Sequence, residues 1–232
     1  QGHEQQPGVW VSGFYGSGKS HLVKVLTHLW GDTELDDGVS ARGLAQLSPQ
    51  IEDSLREIST IGKREAGVFA AAGELQFARP IRRELLAILF QAKGLPEEFS
   101  VASCYLWMRD EGILDHVREG VEAAGKEFNR ELLAIYVSPV LAQAVIDAMP
   151  GYASSPNEVH QKLRAQFPRL SPSDEISDQQ MLGTICDLRR SDGQMPCTLI
   201  VLDELQQYIG DDGERAGPEA RGGGPPRRRG PG

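Results

Sequence analysis

The sequence has few of the residues that would form disulfides or bind zinc. Its three cysteines, Cys104, Cys186 and Cys197, stand far apart and form no CxxC pair. This spacing excludes a disulfide framework and indicates a reducing compartment, so we expect them to be small core residues. The five histidines are also scattered without ligand spacing, and no zinc site is expected.

Long apolar runs are also missing. The longest, such as 85–90, fall far short of the roughly 18 residues that a membrane-spanning helix needs. No basic and then apolar leader follows Gln1. We therefore predict a cytoplasmic protein without a membrane partner.

The charge balance limits the kind of partner. Apolar residues make up 40% of the 232 residues, enough for one domain with a buried core. Acidic residues outnumber basic ones by 33 to 24, which gives a formal net charge of −9. Affinity for duplex DNA comes largely from lysine and arginine that neutralise phosphates, so we expect DNA contact only indirectly or through partners.

The last twenty residues, 213–232, differ in composition from the rest. They contain five arginines against two glutamates, and no Val, Ile, Leu, Met or aromatic residue. Such a segment cannot bury enough apolar surface to offset its ordering entropy, so we predict a disordered tail. Three interpretations stay open: a flexible linker, an arginine-rich nucleic-acid arm, or a GC-rich message translated in the wrong frame.

A phosphate-binding motif lies near the start of the chain. The pattern G-x-x-x-x-G-K-[ST] is matched without a gap by Gly13, Phe14, Tyr15, Gly16, Ser17, Gly18, Lys19 and Ser20. The β-prone stretch 9–12 precedes it, and apolar residues at helical spacing follow it. We therefore predict a strand, a phosphate loop and a helix in this order.

The residue types of this motif suit nucleotide phosphates. Gly16 and Gly18 allow positive φ angles and leave room for phosphate oxygens, and the N–H groups at the helix start form an anion site. Lys19 is expected to reach the β- and γ-phosphates, and the Ser20 hydroxyl to bind Mg²⁺. His21, which directly follows the motif, is grouped with the nucleotide-binding residues.

An acidic pair supplies the second half of the predicted site. Residues 199–202 are all apolar, as in a parallel strand covered on both faces, and Asp203 and Glu204 follow them. Open α/β sheets bind ligands at the carboxyl ends of their strands, so Asp203 is predicted to hold Mg²⁺. Glu204 is predicted to be the general base that polarises the attacking water. A small-molecule phosphotransferase does not need this adjacent pair, so hydrolysis is favoured.

The predicted cofactors are ATP and Mg²⁺, because the guanine-reading Asn-Lys-x-Asp sequence is absent. The two motifs are separated by helical stripes and capping boxes, such as Ser155 with Glu158, and by one strand candidate at 68–72. We predict an α/β fold over 1–212: a P-loop NTPase core with a parallel sheet and a large, mainly helical insertion at about 32–190.

Four stretches together resemble a known family. They are 8–24, with its Trp-Val-Ser lead-in and Phe-Tyr filling, 69–75 (FAAAGEL), 106–114 (LWMRDEGIL) and 202–210 (LDELQQYIG). They are similar to the large P-loop protein of bacteriophage-exclusion (BREX) defence systems, of the BrxC or PglY type. This resemblance implies an ATPase subunit of a phage-resistance complex that works on or around DNA.

The resemblance also implies site residues and partners. It carries over Lys19 and Ser20 as phosphate-loop residues, and Asp203 and Glu204 as the second acidic motif. Family members are much longer, whereas the similarity here stops near Asp212, so we expect a fragment. Its expected partners are other subunits of the defence complex, with homo-oligomerisation as a further option. Two functions stay open: an ATP-hydrolysing motor or switch, and a regulatory or scaffold module that binds ATP without turnover.

Overall fold

The computed structural model describes residues 8–14, 16–35, 38–64, 66–75, 80–189 and 196–205. This part of the chain is a mixed α/β protein, mostly helical, with a small parallel sheet. Its elements in chain order are α1 Lys19–Gly31, α2 Ala41–Leu44, α3 Pro49–Arg64, β1 Val68–Glu74, α4 Ile81–Ala92, α5 Phe99–Asp110, α6 Leu114–Ala123, α7 Phe128–Leu133, α8 Pro139–Ala148, α9 Pro156–Gln166, α10 Asp178–Arg189 and β2 Cys197–Asp203. Among these helices, none is long and apolar enough to cross a membrane.

The sheet joins two strands that are far apart in sequence. β1 and β2 pair in parallel, from Val68 opposite Cys197 to Glu74 opposite Asp203. Both strands were expected from their apolar, β-prone composition, and both are confirmed. β2 is half-buried along its whole length rather than covered on both faces, because within the described ranges only β1 pairs with it.

The strand predicted at 9–12 is wrong. Residues 8–14 have no regular secondary structure, and the side chains of Val9, Trp10 and Val11 are exposed. A strand is stable only beside a neighbour that completes its backbone hydrogen bonds. Residues 9–12 pair with neither β1 nor β2, so the β-prone composition of this stretch is not sufficient to make it a strand.

Two apolar cores share helix α5. The core formed by α5 to α9 includes Met108, Val117, Val121, Leu132, Leu141, Val145 and Leu163. The core that covers the sheet includes Phe69, Ala71, Leu86, Leu89, Phe90 and Ile185. On α5, Cys104 lies in the first core, whereas Ala102 and Leu106 lie in the second. This helix is therefore apolar on more than one face, and it joins the helical region to the sheet.

Side chains cap the helix ends, at one place as the sequence predicts and at another by a contact that the sequence analysis did not predict. The amide of Glu158 donates to Ser155 Oγ at the start of α9, which confirms that capping box. At the other end of the chain, Arg42 fixes the end of α1: its guanidinium donates to the backbone carbonyls of Leu29 and Trp30, at 2.7 and 3.0 Å. The last carbonyls of a helix lack partners within the helix, and a cation there is favourable.

Candidate functional site

The ammonium group of Lys19 is hydrogen-bonded to the backbone of the phosphate loop. Lys19 Nζ donates to the backbone carbonyls of Gly13 at 2.9 Å and Phe14 at 3.1 Å. The amide of Ser17 also donates to the Phe14 carbonyl, at 3.1 Å. These bonds hold the lysine over the loop that the sequence assigns to nucleotide phosphates.

Glycine is favoured at two positions of this loop by its backbone. Gly16 and Gly18 have φ angles of 78° and 84°, which L side chains rarely adopt. At Gly13, a Cβ atom would lie 2.8 Å from Ser17 Oγ, closer than real Cβ contacts, so Ser17 would have to move.

The loop ends at the amino terminus of α1, where no acidic or capping side chain of the helix itself binds the first amides. Gly18 is the N-cap, no side chain caps the helix, and no acidic residue lies in its first turn. The starts of α4, α5 and α6 also have no side-chain cap, whereas those of α7, α8 and α9 are capped by Glu127, Ser138 and Ser155. The first amides of α1 and the helix dipole are thus suited to an external anion. Ser20 and His21 are exposed in this first turn.

The acidic pair lies at the carboxyl end of β2. The register places Asp203 opposite Glu74, and the Asp203 carbonyl accepts the amide of Leu75 at 3.1 Å. Asp203 Oδ1 accepts the amide of Glu204 at 2.9 Å. Glu204 has a φ angle of 58°, in the left-handed region that favours glycine.

A contact at the far end of α1 relates the two halves of the site. The indole of Trp30 donates to the carbonyl of Cys197, so the end of α1 lies at the start of β2. α1 packs on both strands. A 13-residue helix and a 7-residue strand are each about 20 Å long. The phosphate loop therefore lies towards the carboxyl end of β2, where Asp203 is located.

Two of the predicted site residues carry the oxygen atoms that Mg²⁺ prefers. The Ser20 hydroxyl and the Asp203 carboxylate are hard oxygen ligands, and Mg²⁺ commonly takes one or two protein ligands together with phosphates and water. In the part of the chain that the structure describes, no group of three or more His, Cys, Asp or Glu could hold a metal ion. A site built from two protein oxygens and nucleotide phosphates is compatible with this finding.

Two predicted features lie outside the described residues: Tyr15 of the loop and the tail 213–232. Conversely, sequence reasoning assigned no role to Glu74, which the register brings to the same edge as Asp203. The available signal was its position directly after the strand candidate at 68–72. The side chain of Glu74 is exposed.

A groove of about 680 Å³ lies elsewhere, in the helical region, and is lined by Tyr105, Arg118, Lys126 and Phe128 among others. Two of its charged groups, Arg118 and Glu127, have structural roles. The Arg118 guanidinium lies 5.0 Å from the centre of the Phe128 ring, and the Glu127 carboxylate caps α7. The phosphate loop and the acidic pair therefore remain the candidate site. A comparison with protein-family models gives no match, and no solved structure matches the chain significantly.

Proposed function

We propose that this chain binds ATP with Mg²⁺ through its phosphate loop and hydrolyses it. One observation carries the proposal: the Lys19 ammonium is held by two loop carbonyls directly before a helix start that no side chain caps. A cation beside the first amides of a helix is the combination that binds a phosphate group.

Each polar group has a role in this proposal. Lys19 and the first amides of α1 bind the phosphate oxygens, while Ser20 and Asp203 hold the metal. Mg²⁺, when bound, neutralises charge on the phosphates. Glu204 orients the water that attacks the γ-phosphate, and its place beside the metal ligand Asp203 supports this assignment.

A module that binds ATP without turnover is the second candidate. Binding needs only the phosphate loop, whereas turnover also needs Glu204, whose φ of 58° is unusual for a residue with a side chain. Binding and hydrolysis therefore need separate tests.

The biological setting is part of the proposal as well. The four stretches that resemble the BREX protein support an ATPase subunit in phage defence, assembled with other subunits of that system. The chain carries a formal net charge of −9, which opposes direct binding to duplex DNA. Partner subunits would supply the DNA contact, and two or more copies of this chain can take part in such an assembly.

Thermal unfolding of the full chain with millimolar ATP–Mg²⁺ tests binding. A ligand at 100 times its dissociation constant stabilises the folded state by about 2.7 kcal/mol, which raises the Tm by roughly 5–10 °C for a chain of this size. Lys19→Ala should abolish the shift. Lys24→Ala, which removes an exposed lysine from the same helix, should keep it. A shift that survives Lys19→Ala would reject the phosphate-loop assignment.

Phosphate release under saturating ATP tests hydrolysis. Glu204→Gln should keep the thermal shift and lose most of the turnover, because an amide cannot accept the proton of water. Glu57→Gln, an exposed glutamate on α3, is the matched control and should turn over normally. Full thermal shifts without phosphate release by the wild-type chain would select the second candidate.

A further inference from the structure

The peptide group between Asp203 and Glu204 is held at both of its polar atoms. Its carbonyl oxygen accepts the amide of Leu75 at 3.1 Å, continuing the pairing of β2 with β1. Its N–H donates to Asp203 Oδ1 at 2.9 Å. Two hydrogen bonds therefore fix this peptide plane. One comes from the amide of Leu75, and the other goes to the carboxylate of Asp203, the predicted metal ligand.

The same peptide plane determines the unusual backbone of Glu204. A flip of a peptide group by half a turn changes ψ of the residue before it and φ of the residue after it. For Glu204, whose φ is 58°, such a flip leads to the extended region at negative φ, which side chains prefer. The flip would also release the amide of Leu75, so the two hydrogen bonds oppose it together.

A cation at Asp203 acts against one of these bonds. A hydrogen bond to a carboxylate is strong because the acceptor carries negative charge. A divalent cation that shares this charge weakens the bond from Glu204, and a cation that takes the lone pair of Oδ1 used by the amide removes it. Of the two hydrogen bonds described above, only the one from Leu75 would then hold the peptide.

We propose that the Asp203–Glu204 peptide is a two-position switch that responds to metal–nucleotide uptake at Asp203. This inference rests on the proposed function. In the first position, Asp203 binds the amide of Glu204, and Glu204 is left-handed. In the second, Asp203 binds the cation, and Glu204 has a negative φ. The direction of the Glu204 side chain therefore depends on loading of the site, which couples placement of the water-orienting carboxylate to the presence of substrate.

The unfolding temperatures of two variants report the backbone conformation of residue 204, and this test does not depend on activity. Glycine tolerates positive φ and alanine does not, so Glu204→Gly should unfold at a higher temperature than Glu204→Ala. Both variants lack the carboxylate, and the gap between them therefore reports the backbone conformation. With millimolar ATP–Mg²⁺, the switch predicts that the gap closes or reverses, because alanine favours the negative φ of the second position.

Asp32 offers a matched control pair. It also has a positive φ, 47°, but it lies at the C-terminal end of α1, away from the phosphate loop. Asp32→Gly should be more stable than Asp32→Ala both with and without ATP–Mg²⁺. Titrations with Mg²⁺ alone and with ATP alone separate the contribution of the metal from that of the phosphates.

The outcomes distinguish the switch from the proposed function. A gap at residue 204 that closes with ATP–Mg²⁺, while the gap at residue 32 stays, supports the switch. An unchanged gap at residue 204 in proteins that all gain stability from ATP–Mg²⁺ overturns the switch and leaves nucleotide binding intact. A wild-type chain that ATP–Mg²⁺ does not stabilise overturns both. If Glu204→Ala without ligand unfolds at the same temperature as Glu204→Gly or at a higher one, residue 204 is not left-handed in the unliganded protein, and the switch is overturned.

Discussion

The indole N–H of Trp30 donates to the backbone carbonyl of Cys197 at 3.1 Å, across 167 positions of the chain. This hydrogen bond fixes the end of α1 to the first residue of β2. α1 begins at the phosphate loop, and β2 ends at Asp203. A single contact between the end of α1 and the start of β2 therefore helps to orient both halves of the candidate site.

Trp30→Phe should weaken this orientation. The variant keeps most of the apolar surface but removes the indole N–H that donates to the Cys197 carbonyl, a loss of about 1–2 kcal/mol. For a chain of this size the Tm should fall by roughly 2–8 °C. Trp10→Phe, at an exposed tryptophan, should leave the Tm nearly unchanged. Equal effects of the two substitutions would mean that the hydrogen bond does not stabilise the fold.

Gly13→Ala should impair the phosphate loop more than the fold. The added Cβ would lie 2.8 Å from Ser17 Oγ, so either Ser17 rotates its hydroxyl away or the loop shifts and moves the carbonyl that binds Lys19, and we expect the shift. We expect the affinity for ATP–Mg²⁺ to fall at least about tenfold, or about 1.4 kcal/mol, in a calorimetric titration. Gly8→Ala, where nothing lies within 4 Å, should bind like wild type. An unimpaired Gly13→Ala variant would contradict the loop geometry.

Gly73→Ala should separate α4 from the sheet. A Cβ there would lie 2.5 Å from Ile88 Cγ1, and overpacking of this kind costs about 1–3 kcal/mol. Gly183→Ala is the opposite case, since nothing lies near its Cβ position in α10; it should stabilise by about 0.4–1 kcal/mol. Chemical denaturation of both variants measures the difference. A Gly73→Ala variant as stable as wild type would mean that Ile88 moves aside freely.

Cys104 should resist alkylation while the protein is folded. Burial raises the pKa of the Cys104 thiol to about 12, and the thiolate is the reactive form. Near pH 8.5, roughly the pKa of a free cysteine, iodoacetamide should modify the partly exposed Cys186 and Cys197 first. Mass spectrometry of peptides locates the label. Early labelling of Cys104 would show that its core opens readily.

The same pKa shift determines a pH dependence of stability. The pKa of Cys104 is higher in the folded than in the unfolded chain, so the folded state retains this proton more strongly. Its contribution to stability is complete below pH 9 and declines as the pH rises towards 12. The difference in Tm between wild type and Cys104→Ala should therefore shrink above pH 9. A difference that grows would reverse the assigned sign.

Local chemistry explains what sequence reasoning predicted correctly. The serine and glutamate that cap α9 lie within one helical turn, and the apolar runs of β1 and β2 are each continuous in sequence. Such features depend on neighbours a few residues away, so a single sequence reveals them. The strand expected at 9–12 is different, because a strand also needs a partner whose identity composition does not give.

The sequence by itself determined the glycine-rich turn at 16–18 and the helix that starts at Lys19, since the positive φ angles of Gly16 and Gly18 are local requirements of the backbone. It also indicated β1 and β2, but it wrongly predicted a strand at 9–12. Only the tertiary structure decided that Glu74 lies opposite Asp203, that Trp30 joins Cys197, and that Glu204 is left-handed. These relationships arise from packing between segments that are far apart in sequence, where residue spacing carries no information about which surfaces meet.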